Sequence, residues 1–215
     1  MAARVVEQTG LLPHINAGIL SADQMAALKE VSVSQGIMLE SASARLAAPG
    51  GPHHGSPDKD PAIRLENIEL AGKLKVPFTT GILVGIGETR QERIESLLAL
   101  RELHDRYSHI QEVIIQPFRP KPGTLMADQI GADDDELKWS IAVARIIFGP
   151  EMSIQAPPNL SPDSEIELIA AGINDFGGVS PVTPDHVNPE APWPELAVLK
   201  KNTEQANKVL VARLP

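Results

Sequence analysis

Cysteine is entirely absent from these 215 residues. Without thiols the chain can form no disulfide, no thiolate zinc site and no cysteine-ligated iron–sulfur cluster of its own. Aromatic residues are also scarce, at 3% of the sequence, although 42% of the residues are hydrophobic. The apolar content is therefore aliphatic and largely β-branched, which is the mixture typical of parallel strands covered by helices.

Basic residues are fewer than acidic ones, 19 against 28, and long apolar runs are lacking. The formal net charge of −9 disfavours a nucleic-acid surface, which needs clustered lysine and arginine. No apolar run approaches the roughly 20 residues that cross a bilayer, and the first residues lack the apolar core of a signal peptide. We therefore expect a cytoplasmic protein that binds neither nucleic acid nor membrane.

Proline and glycine separate segments that alternate between strand and helix patterns. Helix starts are marked by hydroxyl residues three positions before Gln or Glu, as in Ser21 with Gln24 and Thr89 with Glu92. A last helix is predicted from 192–194 to about 209. Strict βα alternation without hairpin signals predicts a parallel sheet with right-handed crossovers. The six predicted strands lie at 11–20, 36–40, 79–84, 113–118, 153–156 and 174–179.

The segment 79–89 predicts a buried strand that ends in a glycine hinge directly before a helix. In α/β folds the carboxyl end of such a strand is where ligands bind. A dinucleotide fingerprint is excluded because Arg90 stands where its third glycine would be, and no Lys-Ser/Thr follows to make a P-loop. Six strands leave two architectures open, a doubly wound sheet or a barrel two strands short of eight.

The pattern Gly81-x-Leu83-x-Gly85-x-x-Glu88 resembles the G-x-I-x-G-x-x-E segment on the fifth strand of radical S-adenosylmethionine (SAM) enzymes, whose backbone packs against the adenine of SAM. Longer segments are similar to the FO synthase family, which makes the deazaflavin chromophore of coenzyme F420. This resemblance covers essentially the whole chain and favours the half that closes the deazaflavin ring. The similar segments are 10–18, 36–41, 115–124, 156–160 and 175–186.

On this resemblance the hinge strand, third in this chain, corresponds to the fifth strand of the barrel. We therefore expect one domain over 1–215, a partial (β/α) TIM-type barrel of the radical SAM type. It would contain about six parallel βα units, strands three to eight, and a C-terminal helix. The first two strands and the loop with the cysteine motif would be missing.

The resemblance also implies the chemistry. SAM is the implied cofactor, together with a [4Fe–4S] cluster in the intact family, whose cysteine ligands are absent from this chain. The implied substrate is a tyrosine–ribityldiaminouracil adduct, from which the deazaflavin ring forms with release of ammonia. A radical SAM half that joins tyrosine to the diaminouracil, fused or separate, is the implied partner.

Six residues are predicted to bind the cofactor. Glu40 ends an apolar strand, where a lone acid is unfavourable to bury unless it is paired, and the resemblance implies that it accepts hydrogen bonds from the ribose or amino group of SAM. Lys59 is the implied partner of the SAM carboxylate, with Arg45 as the competing cation. A solvated loop residue is the alternative for each. The six residues are Glu40, Lys59, Leu83, Val84, Gly85 and Arg119.

Four residues are predicted to bind the substrate. Gln116 interrupts a β-branched run, and its amide can pair with the edge of a pyrimidinedione. Asn159 follows two prolines, with a turn role as the alternative. Asp175 precedes a glycine pair that lets a flat ligand approach the backbone, and His186 is predicted to contact substrate or transfer a proton. No residue is assigned to catalysis or to a metal.

Two other functions stay open at this point. One is a cluster-free barrel module that binds a ligand or a partner without catalysis. The other is a non-radical TIM-barrel enzyme with phosphate sites near its last strands, for which Gly177 and Gly178 are the available glycine pair. A Cys-x-x-x-Cys-x-x-Cys motif in upstream coding sequence would favour the radical enzyme.

Overall fold

Five strands form the sheet of this protein, in a computed structural model that describes residues 1–180 and 182–214. They lie in the order β1-β2-β3-β4-β5, and the sheet is parallel. The α/β fold expected from the sequence is thereby confirmed. The strands are β1 (His14–Ile15), β2 (Ser34–Gly36), β3 (Phe78–Val84), β4 (Ile110–Pro117) and β5 (Ser153–Gln155).

Helices separate the strands along the chain. Within the described ranges, none of them is both long and apolar enough to cross a membrane. The cytoplasmic location stays a prediction. The α-helices are α1 (Ala2–Thr9), α2 (Ala22–Lys29), α3 (Pro61–Lys73), α4 (Arg90–Tyr107), α5 (Asp134–Phe148), α6 (Glu165–Ala171) and α7 (Leu196–Gln205).

Both predicted capping boxes are present. In α2 the Ser21 hydroxyl accepts a hydrogen bond from the Gln24 backbone N–H at 3.3 Å, and the Gln24 side chain accepts one from the Ser21 N–H at 2.9 Å. In α4 the same exchange joins Thr89 and Glu92, at 3.2 and 2.7 Å. Each box pairs two N–H groups that a helix start leaves without partners.

Three predicted strands differ from their sequence pattern. The strand predicted at 36–40 is observed at Ser34–Gly36, with a single isolated bridge from Glu40 to Ile82 beyond it. The segment 11–20 forms only β1, and beyond it Gly18 adopts the left-handed region at φ 77°. The segment 174–179 is reduced to one parallel bridge between Gln155 and Asp175. There the Asp175 carboxylate accepts a hydrogen bond from the Gly177 N–H at 2.7 Å, and Gly177 has φ 71°. This local turn competes with continued pairing.

The chain divides into two compact units. The first consists of Met1–Ile82 with Gly87–Val113, and the second of Leu83–Ile86 with Ile114–Leu214. Each has its own buried aliphatic core, the first around Leu39 and the second around Ile141. The single domain expected over 1–215 stays a prediction, and Pro181 lies outside the described residues.

The two faces of the sheet differ within the first unit. The parallel register pairs His14 with Ser34 and Gly36 with Thr79, and residues paired in this way share a face. Gln35 lies on the opposite face, where its side-chain amide donates to the carbonyl of Met25 in α2 at 3.0 Å. The helix-covered face is thus distinct from a second face that carries polar side chains.

Candidate functional site

Glu40 occupies a strained position where the chain after β2 pairs again with β3. It forms a parallel bridge with Ile82, and its N–H donates to the carbonyl of Gly81 at 3.0 Å. Its φ of 62° lies in the left-handed region, which costs a residue with a side chain about 1–2 kcal/mol. Strain of this kind collects at functional sites.

Three basic side chains surround the Glu40 carboxylate, and together these four residues form the Glu40 cluster. His53 Nε2 lies 2.8 Å from one carboxylate oxygen and Arg64 donates to the other at 2.8 Å. Lys59 Nζ lies 2.9 and 3.0 Å from the two oxygens. The His53 and Arg64 side chains are 3% and 6% exposed, whereas Lys59 is 34% exposed.

The 3-10 turn and the start of α3 determine where Lys59 and Arg64 lie. Lys59 ends a 3-10 turn, Pro57–Lys59, directly before α3. The helix begins at Asp60, whose side chain accepts from the Ala62 N–H at 2.8 Å. Arg64 therefore lies in the first turn of α3, and it also donates to the carbonyl of Met38 at 2.5 Å. The arginine thus ties the helix to the strand end that carries Glu40.

The electrostatics of the cluster favour an ionised Glu40. Burial alone would raise the pKa of Glu40, but the hydrogen bond from His53 and the charges of Lys59 and Arg64 outweigh it and lower the pKa to about 2. The Glu40 carboxylate faces two permanent cations and an imidazole, and Arg64 also faces the exposed Asp58 carboxylate at 3.9 Å. The partly exposed Lys59 ammonium is the group that an anionic ligand can reach.

The pH dependence of stability should reflect this carboxylate. Because the folded-state pKa of about 2 lies below the ordinary value of 4.5, the contribution of Glu40 is full above pH 4.5 and is lost as the pH falls toward 2. We expect a steeper fall in melting temperature over that range for the parent chain than for Glu40→Gln. Equal slopes in circular-dichroism melts would contradict the assignment.

The glycine hinge after β3 has one position that only glycine can occupy. Gly85 has φ 96°, and a Cβ there would lie 2.8 Å from Ala132 Cα. Leu83 is half-buried. Val84 is fully buried, and its carbonyl accepts from the Phe118 N–H at 2.7 Å. Because Ala132 fills the space beside the Gly85 Cα, the hinge can offer a ligand the half-buried Leu83 and backbone atoms of Val84 and Gly85.

Arg45, the competing cation, belongs to a different contact. Its guanidinium donates to both Glu92 oxygens at 3.0 and 2.8 Å and to the carbonyl of Gly87 at 2.8 Å. The hydrogen bond from Arg45 is the main reason that the pKa of Glu92 falls to about 2. Glu88, in turn, pairs with the buried Arg93 at 2.6 Å. These residues fix the start of α4, and Lys59 is the predicted cation that joins Glu40.

In the second unit, two predicted residues are already engaged by protein groups. Arg119 donates to the carbonyls of Leu160 and Ala132 at 2.8 and 3.0 Å. The Asp175 carboxylate lies 2.5 Å from the guanidinium of Arg213. Both side chains therefore connect loops of this unit. Gln116 is half-buried in β4.

Asn159 anchors the loop that carries His186. Its amide nitrogen donates to the Asp185 carboxylate at 2.9 Å and to the Ala191 carbonyl at 3.1 Å. Burial would raise the pKa of Asp185, but hydrogen bonds from Asn188, the Val187 N–H and Asn159 lower it. The Asn159 Oδ1 atom is buried without a partner among the described residues, while His186 is exposed.

Two members of the Glu40 cluster are absent from the sequence-based prediction. His53 lies in a glycine- and proline-rich loop, and nothing in its sequence neighbourhood shows that its ring turns inward. Arg64 could have been found from the helix start at Asp60 and Pro61, which places it four residues into α3 beside the predicted Lys59. No group of three or more His, Asp or Glu in the described ranges could hold a metal.

Sequence comparison finds close relatives, although no protein-family model matches the chain. The chain is 56% identical to the FO synthase of Nocardia farcinica over 97% of its own length and 24% of the relative's. It is 54% identical to the FO synthase of Mycobacterium tuberculosis strain H37Rv, over 100% and 25%. It therefore spans about a quarter of these relatives.

A shorter relative matches as well. The chain is 52% identical to the 7,8-didemethyl-8-hydroxy-5-deazariboflavin synthase of Methanothermobacter thermautotrophicus, over 96% of this chain and 62% of that relative. All three alignments run through nearly the whole chain. The similarity therefore includes both compact units.

Solved structures show the same fold. Methylornithine synthase (PylB) superposes with a TM-score of 0.71 at 17% identity, covering 98% of this chain and 62% of that protein. HydG, a maturase of the [FeFe]-hydrogenase, gives a TM-score of 0.64 at 18% identity, covering 74% of this chain and 36% of HydG. At these identities the likeness concerns the fold alone, and it agrees with the parallel α/β fold expected from the sequence.

Proposed function

We propose that this chain, a homologue of the FO synthases along its whole length, forms part of a radical SAM enzyme that makes a 5-deazaflavin. Its relatives support a role in coenzyme F420 biosynthesis. The structural observation that carries the proposal is the Glu40 cluster, a strained acid with three basic partners at the carboxyl end of a strand. This is the edge at which barrel enzymes hold their ligands.

The substrate under this proposal is the tyrosine–ribityldiaminouracil adduct, and ring closure releases ammonia. The Methanothermobacter relative is named for the deazaflavin product, which supports this choice. The protein's contribution is to hold the reactants in reacting geometry, which is worth up to about 7–11 kcal/mol over a free encounter. It also keeps water and competing hydrogen donors away from the reacting atoms.

The first unit has groups that fit the amino-acid part of SAM. The Glu40 oxygens are occupied by three basic side chains, so its role is to hold Lys59 and Arg64 in place. The partly exposed Lys59 ammonium is then the donor proposed for the SAM carboxylate. SAM, when bound, supplies the adenosyl group from which the radical chemistry starts. The residues present therefore fit the cofactor.

The second unit, taken by itself, carries further residues that are proposed as ligand contacts. Half-buried Leu83, with the backbone of Val84 and Gly85, is proposed to contact adenine. The Asn159 Oδ1 atom, buried without a described partner, is an acceptor for a substrate N–H or O–H. Gln116, Asp175 and His186 are proposed as further substrate contacts, and Arg119 as a cofactor contact. Asp175 would first have to leave its ion pair with Arg213, and Arg119 its hydrogen bonds to the carbonyls of Leu160 and Ala132.

A [4Fe–4S] cluster does not fit the residues of this chain. Such a cluster is held by cysteine thiolates, and the sequence contains none. We propose that the cluster ligands and the half that joins tyrosine to the diaminouracil lie on other polypeptide segments or on a separate protein. The fourfold greater length of two relatives supports a fused arrangement.

Binding of SAM to the 215-residue chain tests the cofactor site. Removal of one charge-assisted hydrogen bond weakens binding by about tenfold, so Lys59→Ala should raise the dissociation constant about tenfold in calorimetric titration with SAM. After reconstitution with iron and sulfide the chain should produce no 5′-deoxyadenosine.

The matched control for this experiment is Lys73→Ala, which removes an exposed lysine paired with Glu69 on α3 and should leave SAM affinity unchanged. Equal effects of the two substitutions would argue against the Lys59 site. Formation of 5′-deoxyadenosine by the chain alone would show that the cluster does not depend on other segments.

A further inference from the structure

The face of the sheet opposite Gln35 in the first unit carries polar side chains, which we call the polar face: His14, Asn16, Ser34, Thr79 and Glu112. His14 Nδ1 lies 2.7 Å from the Ser34 hydroxyl. The Thr79 hydroxyl donates to a Glu112 carboxylate oxygen at 2.8 Å. These contacts run across four neighbouring strands. The inner faces of parallel barrels are usually filled with branched apolar residues, so this polarity calls for a ligand.

Gly36 leaves room for this arrangement. A Cβ at Gly36 would lie 3.1 Å from Asn16 Oδ1 and 3.2 Å from His14 Cε1. The side chains of His14 and Asn16 therefore pack against Gly36 in β2. Ser34 and Thr79 are almost fully buried beside them, whereas His14 and Asn16 keep part of their surface exposed and can contact a ligand.

The residue types and charges of the polar face indicate which kind of ligand it can bind. The face contains no lysine or arginine, and Glu112 is its single ionisable acid. Partial burial lowers the pKa of His14, although the charge of Glu112 acts in the opposite direction, which favours the neutral imidazole. Hydroxyls, an amide, an imidazole and a carboxylate are rich in acceptors. They suit neutral groups that donate hydrogen bonds, and they disfavour phosphate.

We propose that the polar face binds a neutral polyhydroxylated chain, which under the proposed function is the ribityl chain of the substrate. The Glu40 cluster is separate from this subsite. Gly36 and Glu40 are four residues apart, a distance of at most about 14 Å along the chain. Within the first unit, the hydroxylated end of the substrate and the anionic end of the cofactor therefore have different partners.

Calorimetric titration of the full chain with three probes tests this inference. The probes are 5-amino-6-(ribitylamino)uracil, its 5′-phosphate and 5,6-diaminouracil, which lacks the ribityl chain. The ribityl compound should bind at least tenfold more tightly than either of the others. The double variant Asn16→Ala/Ser34→Ala should reduce this preference to less than threefold while SAM affinity stays unchanged.

Ser32→Ala is the matched control, because the Ser32 hydroxyl donates to the Leu28 carbonyl at 2.7 Å and lies off the polar face; it should keep the full preference. The inference is overturned if the parent chain shows no preference for the ribityl compound, or if the double variant retains it with native circular dichroism. The inference about the polar face is supported if the preference for the ribityl compound depends on Asn16 and Ser34, whatever the outcome of the Lys59→Ala titration. Failure of the Lys59→Ala titration would count against the proposed function alone.

Discussion

Glu40→Gln should lower the free energy of unfolding of this chain by about 3–5 kcal/mol. The substitution keeps the size of the side chain but removes the charge that faces His53, Lys59 and Arg64. The Arg64 side chain is only 6% exposed, so its charge would be left buried without its main partner. Breaking one side of a buried ion pair has an effect of this size. Urea unfolding followed by circular dichroism measures it.

A control for Glu40→Gln is a substitution of the second acid that faces Arg64, Asp58. Asp58 also faces Arg64, at 3.9 Å, but its side chain is 66% exposed. Exposed pairs of this kind contribute about 0–1 kcal/mol, so Asp58→Asn should change the unfolding free energy by less than about 1 kcal/mol. If both substitutions gave similar values, burial of the Glu40 cluster would not be the source of its stabilising effect.

Gly85→Ala should destabilise the chain by about 3 kcal/mol or more. A methyl group there meets two separate penalties. The φ of 96° is unfavourable for alanine, by about 1–2 kcal/mol. The new Cβ would also lie 2.8 Å from Ala132 Cα, and because that atom belongs to the backbone, relief requires a shift of the loop, for which about 1–3 kcal/mol is typical. Thermal and urea unfolding would both show the change.

Gly87 separates these two penalties. It has nearly the same backbone conformation, with φ 98°, but nothing lies within 4 Å of its Cβ position. Gly87→Ala should therefore show only the conformational part, about 1–2 kcal/mol. A loss as large as that of Gly85→Ala would mean that close packing against Ala132 contributes nothing, and that the hinge needs glycine for its backbone angles alone.

Local signals account for what the sequence predicted about the fold. Capping boxes at Ser21 and Thr89 depend on residues three positions apart, so they can be identified without knowledge of tertiary structure. The hinge strand was predicted over 79–84 and is observed as Phe78–Val84, because its apolar run is bounded by glycine. The strand predicted at 11–20 failed in length, since pairing partners decide where a strand ends.

In the candidate site, too, features with a local sequence signal could be predicted, whereas contacts between distant segments could not. Glu40 and Lys59 could be predicted because the end of a strand and the start of a helix are visible in the sequence. His53 could not, because its contact with Glu40 depends on how the loop between them folds back. The contacts of Asn159 with Asp185 and of Asp175 with Arg213 also join distant segments, so sequence could name these residues but not their partners.

The two compact units are interleaved along the chain. Residues Leu83–Ile86 belong to the second unit but are flanked on both sides by sequence of the first. A single cleavage after Val113 therefore keeps all these residues of the first unit on one fragment but removes Leu83–Ile86 from the second unit, and a nick within these four residues would interrupt both. During synthesis on the ribosome the first unit cannot be complete before Val113 has emerged, and expression of shorter pieces is a poor route to either half.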